Sequence, residues 1–247
     1  MCVVALAARA QDGAPSADRV RAATQQLERA FEGKQAADKL VAIKAASQVV
    51  APAVIAWIAK GLVDSNSDVR AEAIEALGRI PHDEAFKALA QHYKAESKNL
   101  RKQERVLPKL LRAIARHGNE AALAILTDDV RAQMLQETLR ARILGLATVR
   151  SKKAIDAVLA LVQTIGFIEM HDHAEDLRLA MYVLTGVDRG RSVEAWKTWW
   201  AEQRESFELP PKAPQLAQVD WERWIAFWGT SVAGVERREA PPAPRER

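Results

Sequence analysis

A chain of 247 residues with 36 basic against 32 acidic side chains and a net charge of +4 is too evenly charged for charge alone to argue nucleic-acid binding. Its one cysteine, Cys2, excludes an internal disulfide framework, and no run of about 18 apolar residues beyond the N-terminus marks a membrane span. Hydrophobic residues make up 49%, with Ala, Leu, Arg, Glu and Lys dominant and Gly and aromatics sparse, which is the composition of helices.

At the N-terminus a short apolar run over residues 2–8 leads into Ala8-Arg9-Ala10 and then Gln11-Asp12-Gly13-Ala14-Pro15. Small residues at minus one and minus three before a polar start suit signal peptidase, although the positively charged flank is missing. Residues 1–10 are therefore read as a signal-peptide remnant, Cys2 as part of its apolar region, and the protein is expected to be periplasmic or secreted. Residues 17–31 form an opening helix with Val20, Ala23, Leu27, Ala30 and Phe31 on one side and Arg19, Arg21, Glu28 and Arg29 left to water, as befits the end of a stack. Residues 36–50 pair with it. Pro52 breaks the chain before a helix over 53–62 that carries Trp57, read as packing between repeats.

The stretch 62–89 organises the rest. Asp64-Ser65-Asn66-Ser67-Asp68 is a cluster of short polar side chains that ends one helix and caps the next. Val69, Ala73, Ala76, Leu77 and Ile80 then recur at helical steps, opposite Glu72, Glu75 and Arg79. Pro81 stops the helix, His82 or Asp83 caps the following one, and that helix has Ala85, Phe86, Leu89 and Ala90 on its apolar side. This is a helical hairpin, and its anchors Leu77, Ile80, Ala85, Phe86 and Leu89 recur. Moved back by 31 residues they fall on Ala46, Val49, Val54, Ile55 and Ile58. Moved forward by 37 they fall on Ile114, His117, Ala122, Leu123 and Leu126, and by 69 on Leu146, Val149, Ala154, Ile155 and Val158. All but His117 are apolar, at a period that suits a helical solenoid.

The series Leu62, Asp64, Asn66, Val69-Arg70, Ala73, Ala76-Leu77-Gly78 resembles the signature of HEAT-type repeats, in particular the short bacterial form first described in phycobilisome lyases. The resemblance covers roughly residues 35–190 and implies a fold far more strongly than an activity. It also implies that Asp64 and Arg70 belong to a ladder between adjacent repeats; the Val-Arg pair is absent around residues 107 and 139, which weakens the ladder there. One branch of the family implies bilin lyase activity, for which no recognisable set of bilin-binding residues is present.

Residues 98–116 read as one helix, the second of its hairpin, with Lys98, Arg101, Lys102, Arg105, Lys109, Arg112 and Arg116 in a single sector and Pro108 as a kink. On that reading Arg101, Arg105, Lys109, Arg112 and Arg116 line the concave surface as a site for an acidic protein segment or another polyanion. The bland alternative is a solvated cationic face. Stacked helices continue over 119–126, 135–149 and 153–165. In the loop 166–175, His171 and His173 lie among Glu169, Asp172 and Glu175; these are zinc-ligand types, but two imidazoles on one loop fall short of a site. The reading is a polar loop capping the next helix.

Leu184-Thr185-Gly186 followed by Ala195-Trp196, Trp199 and Trp200 resembles the ending of many exported bacterial HEAT-repeat proteins. Trp196, Trp199 and Trp200 share one helical face, as do Trp221, Trp224 and Trp228 beyond the Pro210-Pro211-Lys212-Ala213-Pro214 linker. Either they form an aromatic platform for a ligand or, as preferred here, they close the open end of the stack. No nucleophile elbow, P-loop, dinucleotide-binding glycine pattern, HExxH or CxxC appears, so no enzyme and no cofactor is expected. The expectation is an all-α protein, an α-α superhelix of about five HEAT-like hairpins over residues 17–190, a Trp-rich cap over 191–234 and a disordered tail over 235–247. It serves as a non-catalytic scaffold for a protein partner, with polyanion or nucleic-acid binding as the alternative; export would disfavour nucleic acid.

Overall fold

The computed structural model describes residues 14–100, 102–132, 135–165 and 171–239. Among them the chain is all-α, with helices packed in neighbouring pairs and, in place of a sheet, a single isolated bridge between Leu216 and Arg237. The described residues fall into two compact units divided between Ala85 and Phe86. The expected signal-peptide remnant, Arg101, the first half of the histidine loop and residues 240–247 lie outside the described residues.

In the first unit each helix ends where local chemistry dictates. α1 (Ala17–Glu32) starts where Ser16 Oγ accepts from the Arg19 N–H at 3.3 Å, satisfying one donor that the first turn leaves unpaired. It packs on α2 (Ala36–Ala46) and on α3 (Pro52–Lys60), whose Pro52 stands in the first turn, where a missing N–H is no loss. A short 3-10 turn, Gly61–Val63, leads to α4 (Ser67–Arg79). A Cβ on Gly61 would lie 2.8 Å from the Cβ of Ala73, so only glycine lets this turn rest on α4. The anchors Ala46, Val49, Val54, Ile55, Ile58, Leu77 and Ile80 are all buried, each large one stabilising the unit by about 1.5–3 kcal/mol.

α5 (Asp83–Leu100) opens with His82 Nδ1 accepting from the Glu84 N–H at 3.1 Å, as expected of a residue capping that helix. The second unit continues with α6 (Leu107–Arg116), α7 (Ala122–Leu126), α8 (Gln136–Leu146), α9 (Lys152–Ile165), α10 (Ala174–Thr185), α11 (Val193–Gln203) and α12 (Gln218–Trp228). α8 is central, packing on α6, α7, α9 and α10, and from Thr138 to Val149 every residue except Arg140 is buried. Gly145 permits this crowding: a Cβ there would come within 3.1 Å of both Ala115 Cβ and Leu126 Cδ2. The repeat is visible in contacts between positions 33 residues apart. Thr148 Oγ1 donates to Ala115 O at 2.6 Å, Arg150 Nη1 to Val183 O at 3.2 Å and Lys153 Nζ to Glu120 Oε1 at 2.5 Å.

Four expectations need correction. Residues 98–116 are not one helix: α5 stops at Leu100, hydrogen-bonded turns run through Lys102–Val106, and α6 starts at Leu107. Pro108 stands in the first turn of α6 and begins a helix rather than kinking one. α6 is also the first helix of its hairpin, so the argument that placed the basic stripe on a concave second helix does not hold. Finally, the expected disordered tail is seated at its start. Val235 is buried, Leu216 N donates to Glu236 O at 2.8 Å and Arg238 N to Leu216 O at 2.7 Å.

Candidate interaction site

The turn before α4 is built from the residues the repeat signature singled out. Asn66 Oδ1 accepts from the backbone of Asp68 and Val69 at 2.9 and 3.2 Å. Arg70 Nη1 donates to the carbonyls of Asp64 and Ser65 at 2.8 and 3.0 Å. Asp64 is not bonded to the Arg70 side chain. It accepts from Lys39 Nζ of α2 at 2.7 Å and from the Asn66 N–H at 2.8 Å, and the Lys39 ammonium holds its carboxyl below the usual carboxylate range. The link between neighbouring hairpins is therefore Lys39 to Asp64, with Arg70 bracing the turn from within.

In the second unit the expected basic stripe divides in two. Lys98, Lys102, Arg105 and Lys109 are exposed around the α5–α6 junction. Arg112 and Arg116 instead reach across to α12: Arg112 Nη1 donates to Phe227 O at 3.1 Å and Arg116 Nη2 to Trp228 O at 2.6 Å. These are carbonyls at the end of α12, where the helix has no internal donors left. Arg140 of α8 joins them, its guanidinium carbon 5.4 Å from the centroid of the Phe227 ring. Arg178 of α10 closes the row, donating to both carboxylate oxygens of Asp220 at 2.9 and 3.2 Å and also pairing with Asp188. These two carboxylates push the Arg178 guanidinium above its ordinary value, and Arg178 in turn holds Asp188 below the carboxylate range. Arginines from three first helices, α6, α8 and α10, thus face the one helix α12.

Two more arginines, which pattern reasoning missed, serve the backbone. Arg142 is fully buried and donates to Ile125 O and Leu126 O at 3.2 and 2.7 Å, closing the end of the five-residue α7. Burial pushes its guanidinium below its ordinary value. Arg150 holds Val183 O and, at 2.5 Å, Pro210 O in the linker. The one sequence signal for Arg142 is a long cation inside a helix whose neighbours Ile143, Leu144 and Leu146 are apolar.

The tryptophans pack inward. Trp196, Trp199, Trp200, Trp224 and Trp228 are buried, and Trp221 is half-buried. Trp200 Nε1 donates to Asp156 Oδ1 at 2.7 Å, Arg204 pairs with the same carboxylate, and Phe207 lies edge-on over both Trp199 and Trp200. Asp156 is held below the carboxylate range, first by Arg204 and then by the indole. α11 therefore covers α9, while α12 lies along the first helices instead of beside α11 as a second end plate.

His173 is buried at the start of α10 with Nδ1 3.3 Å from Asp176 Oδ2, while His171 is exposed. Asp176 also meets Arg140 and Arg223, so arginines surround this carboxylate. Among the described residues no three His, Cys, Asp or Glu side chains converge as metal ligands, and no helix is long and apolar enough to cross a membrane. The basic stripe is thus split between the exposed cations of the α5–α6 junction and the arginine row beneath α12.

No curated protein matches the chain. Residues 23–107, a stretch that takes in α2 to α5, match the family model of HEAT repeats.

Proposed function

We propose that this chain is a non-catalytic scaffold that holds an acidic protein partner at the α5–α6 junction. The observation that carries the reading is the exposure of Lys98, Lys102, Arg105 and Lys109 on neighbouring turns, while the arginines that follow are committed to the protein's own helices. Like charges gathered on one short segment repel unless something answers them. Repeat scaffolds offer such surfaces without grouping catalytic side chains. The cell envelope is the proposed setting, on the strength of the Ala8-Arg9-Ala10 pattern.

The test compares wild type with Lys102→Glu, Arg105→Glu, Lys109→Glu as capture baits in envelope and cytoplasmic extracts, with mass-spectrometric identification. A single acidic envelope protein held by wild type, released by moderate salt and lost by the variant is the expected result. Binding of heparin or nucleic acid with a steep salt slope would replace the protein partner by a polyanion. Equal capture by both baits would overturn the assignment of this junction.

A further inference from the structure

α12 is engaged in a way that any helix of its pattern could reproduce. Its buried face is Asp220, Trp224, Phe227 and Trp228, which are positions i, i+4, i+7 and i+8 of one stripe. Against that stripe stand Arg112 and Arg116 of α6, Arg140 of α8 and Arg178 of α10. They recognise a carboxylate in the first turn, an aromatic ring and the terminal carbonyls. Arg140 and Arg178 also meet Asp176 and Asp188, so the carboxylate, ring and terminal carbonyls of a guest helix add to partners already in place on this face.

The segment carrying α12 is self-contained. Leu216 pairs with Glu236 and Arg238 on either side of the helix, and Ser231 Oγ donates to Val235 O at 2.7 Å. Leu216, Val232 and Val235 are buried with it. Ahead of this closed clip, Pro211, Lys212 and Gln215 are exposed, whereas the linker up to Pro210 is pinned by Arg150 and Lys152. The clip thus hangs on a few proline-rich residues next to a fixed point.

As an occupant α12 is imperfect. The Nε1 groups of Trp224 and Trp228 are buried without an acceptor, and a donor stripped of water with nothing in exchange weakens the contact that buries it. A helix with phenylalanine at those two places would strand no donor, at the cost of the volume that each smaller ring leaves unfilled.

We propose that the face of α6, α8 and α10 is a helix-recognition groove, filled in cis by α12. Its trans occupant is an amphipathic partner helix carrying a carboxylate in its first turn and aromatic residues four, seven and eight positions later. This rests on the scaffold reading but uses a surface separate from the cationic junction. A partner helix competes with α12, so the clip sets the threshold for binding.

The test uses full-length protein and labelled peptides spanning residues 215–239, one with the natural sequence and one with Trp224→Phe and Trp228→Phe. In the protein, Asp220→Lys sets a cation against Arg178 and loosens the clip. This variant should bind the natural peptide about tenfold or more tightly than wild type does, the scale of a contact shift of one factor of ten. The phenylalanine peptide should bind more tightly still, and adding Arg112→Glu and Arg116→Glu to the protein should abolish both. A folded Asp220→Lys protein that binds neither peptide, or binds them regardless of the arginines, would overturn the proposal. Concentration-dependent dimers in place of peptide binding would overturn it in favour of a second copy's clip.

Should Asp220→Lys fail to fold, hydrogen exchange on wild type decides. Excess phenylalanine peptide should speed exchange over 216–239 while α8 stays protected, and unchanged exchange would overturn the proposal. Because no variant here touches Lys102, Arg105 or Lys109, failure of the groove leaves capture at the junction to be judged by its own charge reversals.

Discussion

The two compact units solve the same problem, closing helix ends in a stack, with side chains of different reach. In the first, closure is local or nearly so: Ser16 and Asn66 bond the turns they belong to, Arg70 reaches back six residues, and Lys39 meets Asp64 one hairpin later. In the second, arginines work at a distance, Arg142 on the end of α7, Arg150 on the linker, Arg112 and Arg116 on carbonyls more than a hundred residues away. The difference follows from the hairpins themselves. α4 is long and carries its own caps, whereas α7 has five residues and no capping side chain. A helix that short cannot satisfy its terminal groups or hold itself together, so another helix must send a donor.

The sharpest way to break this comparison is Arg142→Ala. It removes a fully buried side chain together with the donors on two carbonyls, and should destabilise the second unit by about 3–5 kcal/mol, read as a lowered urea midpoint. An unchanged midpoint would mean that α7 closes by itself. Trp196→Ala should cost a similar or slightly smaller amount, about 3 kcal/mol, since the ring is fully buried and its Nε1 donates to Gly190 O at 2.8 Å. A loss below about 1 kcal/mol would show that α11 adds little to the unit.

Asp64→Ala is the counterpart in the first unit, with an expected loss of about 1–3 kcal/mol as Lys39 and the Asn66 N–H lose their acceptor. Hydrogen exchange should speed up first at the start of α4, and uniform loss across both units would refute the local role.

The smallest effect concerns pH. Asp64, Asp156 and Asp188 are each held below the ordinary carboxylate range, so the folded state binds protons less readily than the unfolded chain. The stability they contribute is complete above the unfolded value of about 4 and is lost as pH falls through their lower folded values. Acid titration should therefore show a falling melting temperature below about pH 4, with Asp156→Asn flattening part of the slope. A slope indifferent to that substitution would remove Asp156 from the account.

How much of this was legible beforehand differs by element. The hairpin anchors were readable because their burial is periodic: Ile55, Leu77, Leu126 and Ile155 lie in the core as the spacing required. His117, the one polar residue among the anchors, is half-buried with its ring 5.8 Å from that of Phe86. The stripe over 98–116 misled because spacing alone cannot distinguish one helix from two joined by turns, and Pro108 suits either a kink or a beginning. The inward packing of the tryptophans was the preferred reading, but the address of α12 was not, since its partners lie on three helices far away in the chain.

What the sequence determined by itself is therefore the local order: where helices start, through Ser16, Asn66, Pro52 and Ser192, and which of their faces turn inward. Caps and 3.6-residue periodicity act within a turn or two, so they are written where they operate. Only the tertiary structure decided what each arginine does. A guanidinium on a long, flexible stem finds whichever carbonyl or carboxylate the packed helices bring near it, and the same residue type ends as an exposed cation at Arg105, a buried helix clasp at Arg142 and one wall of a groove at Arg116.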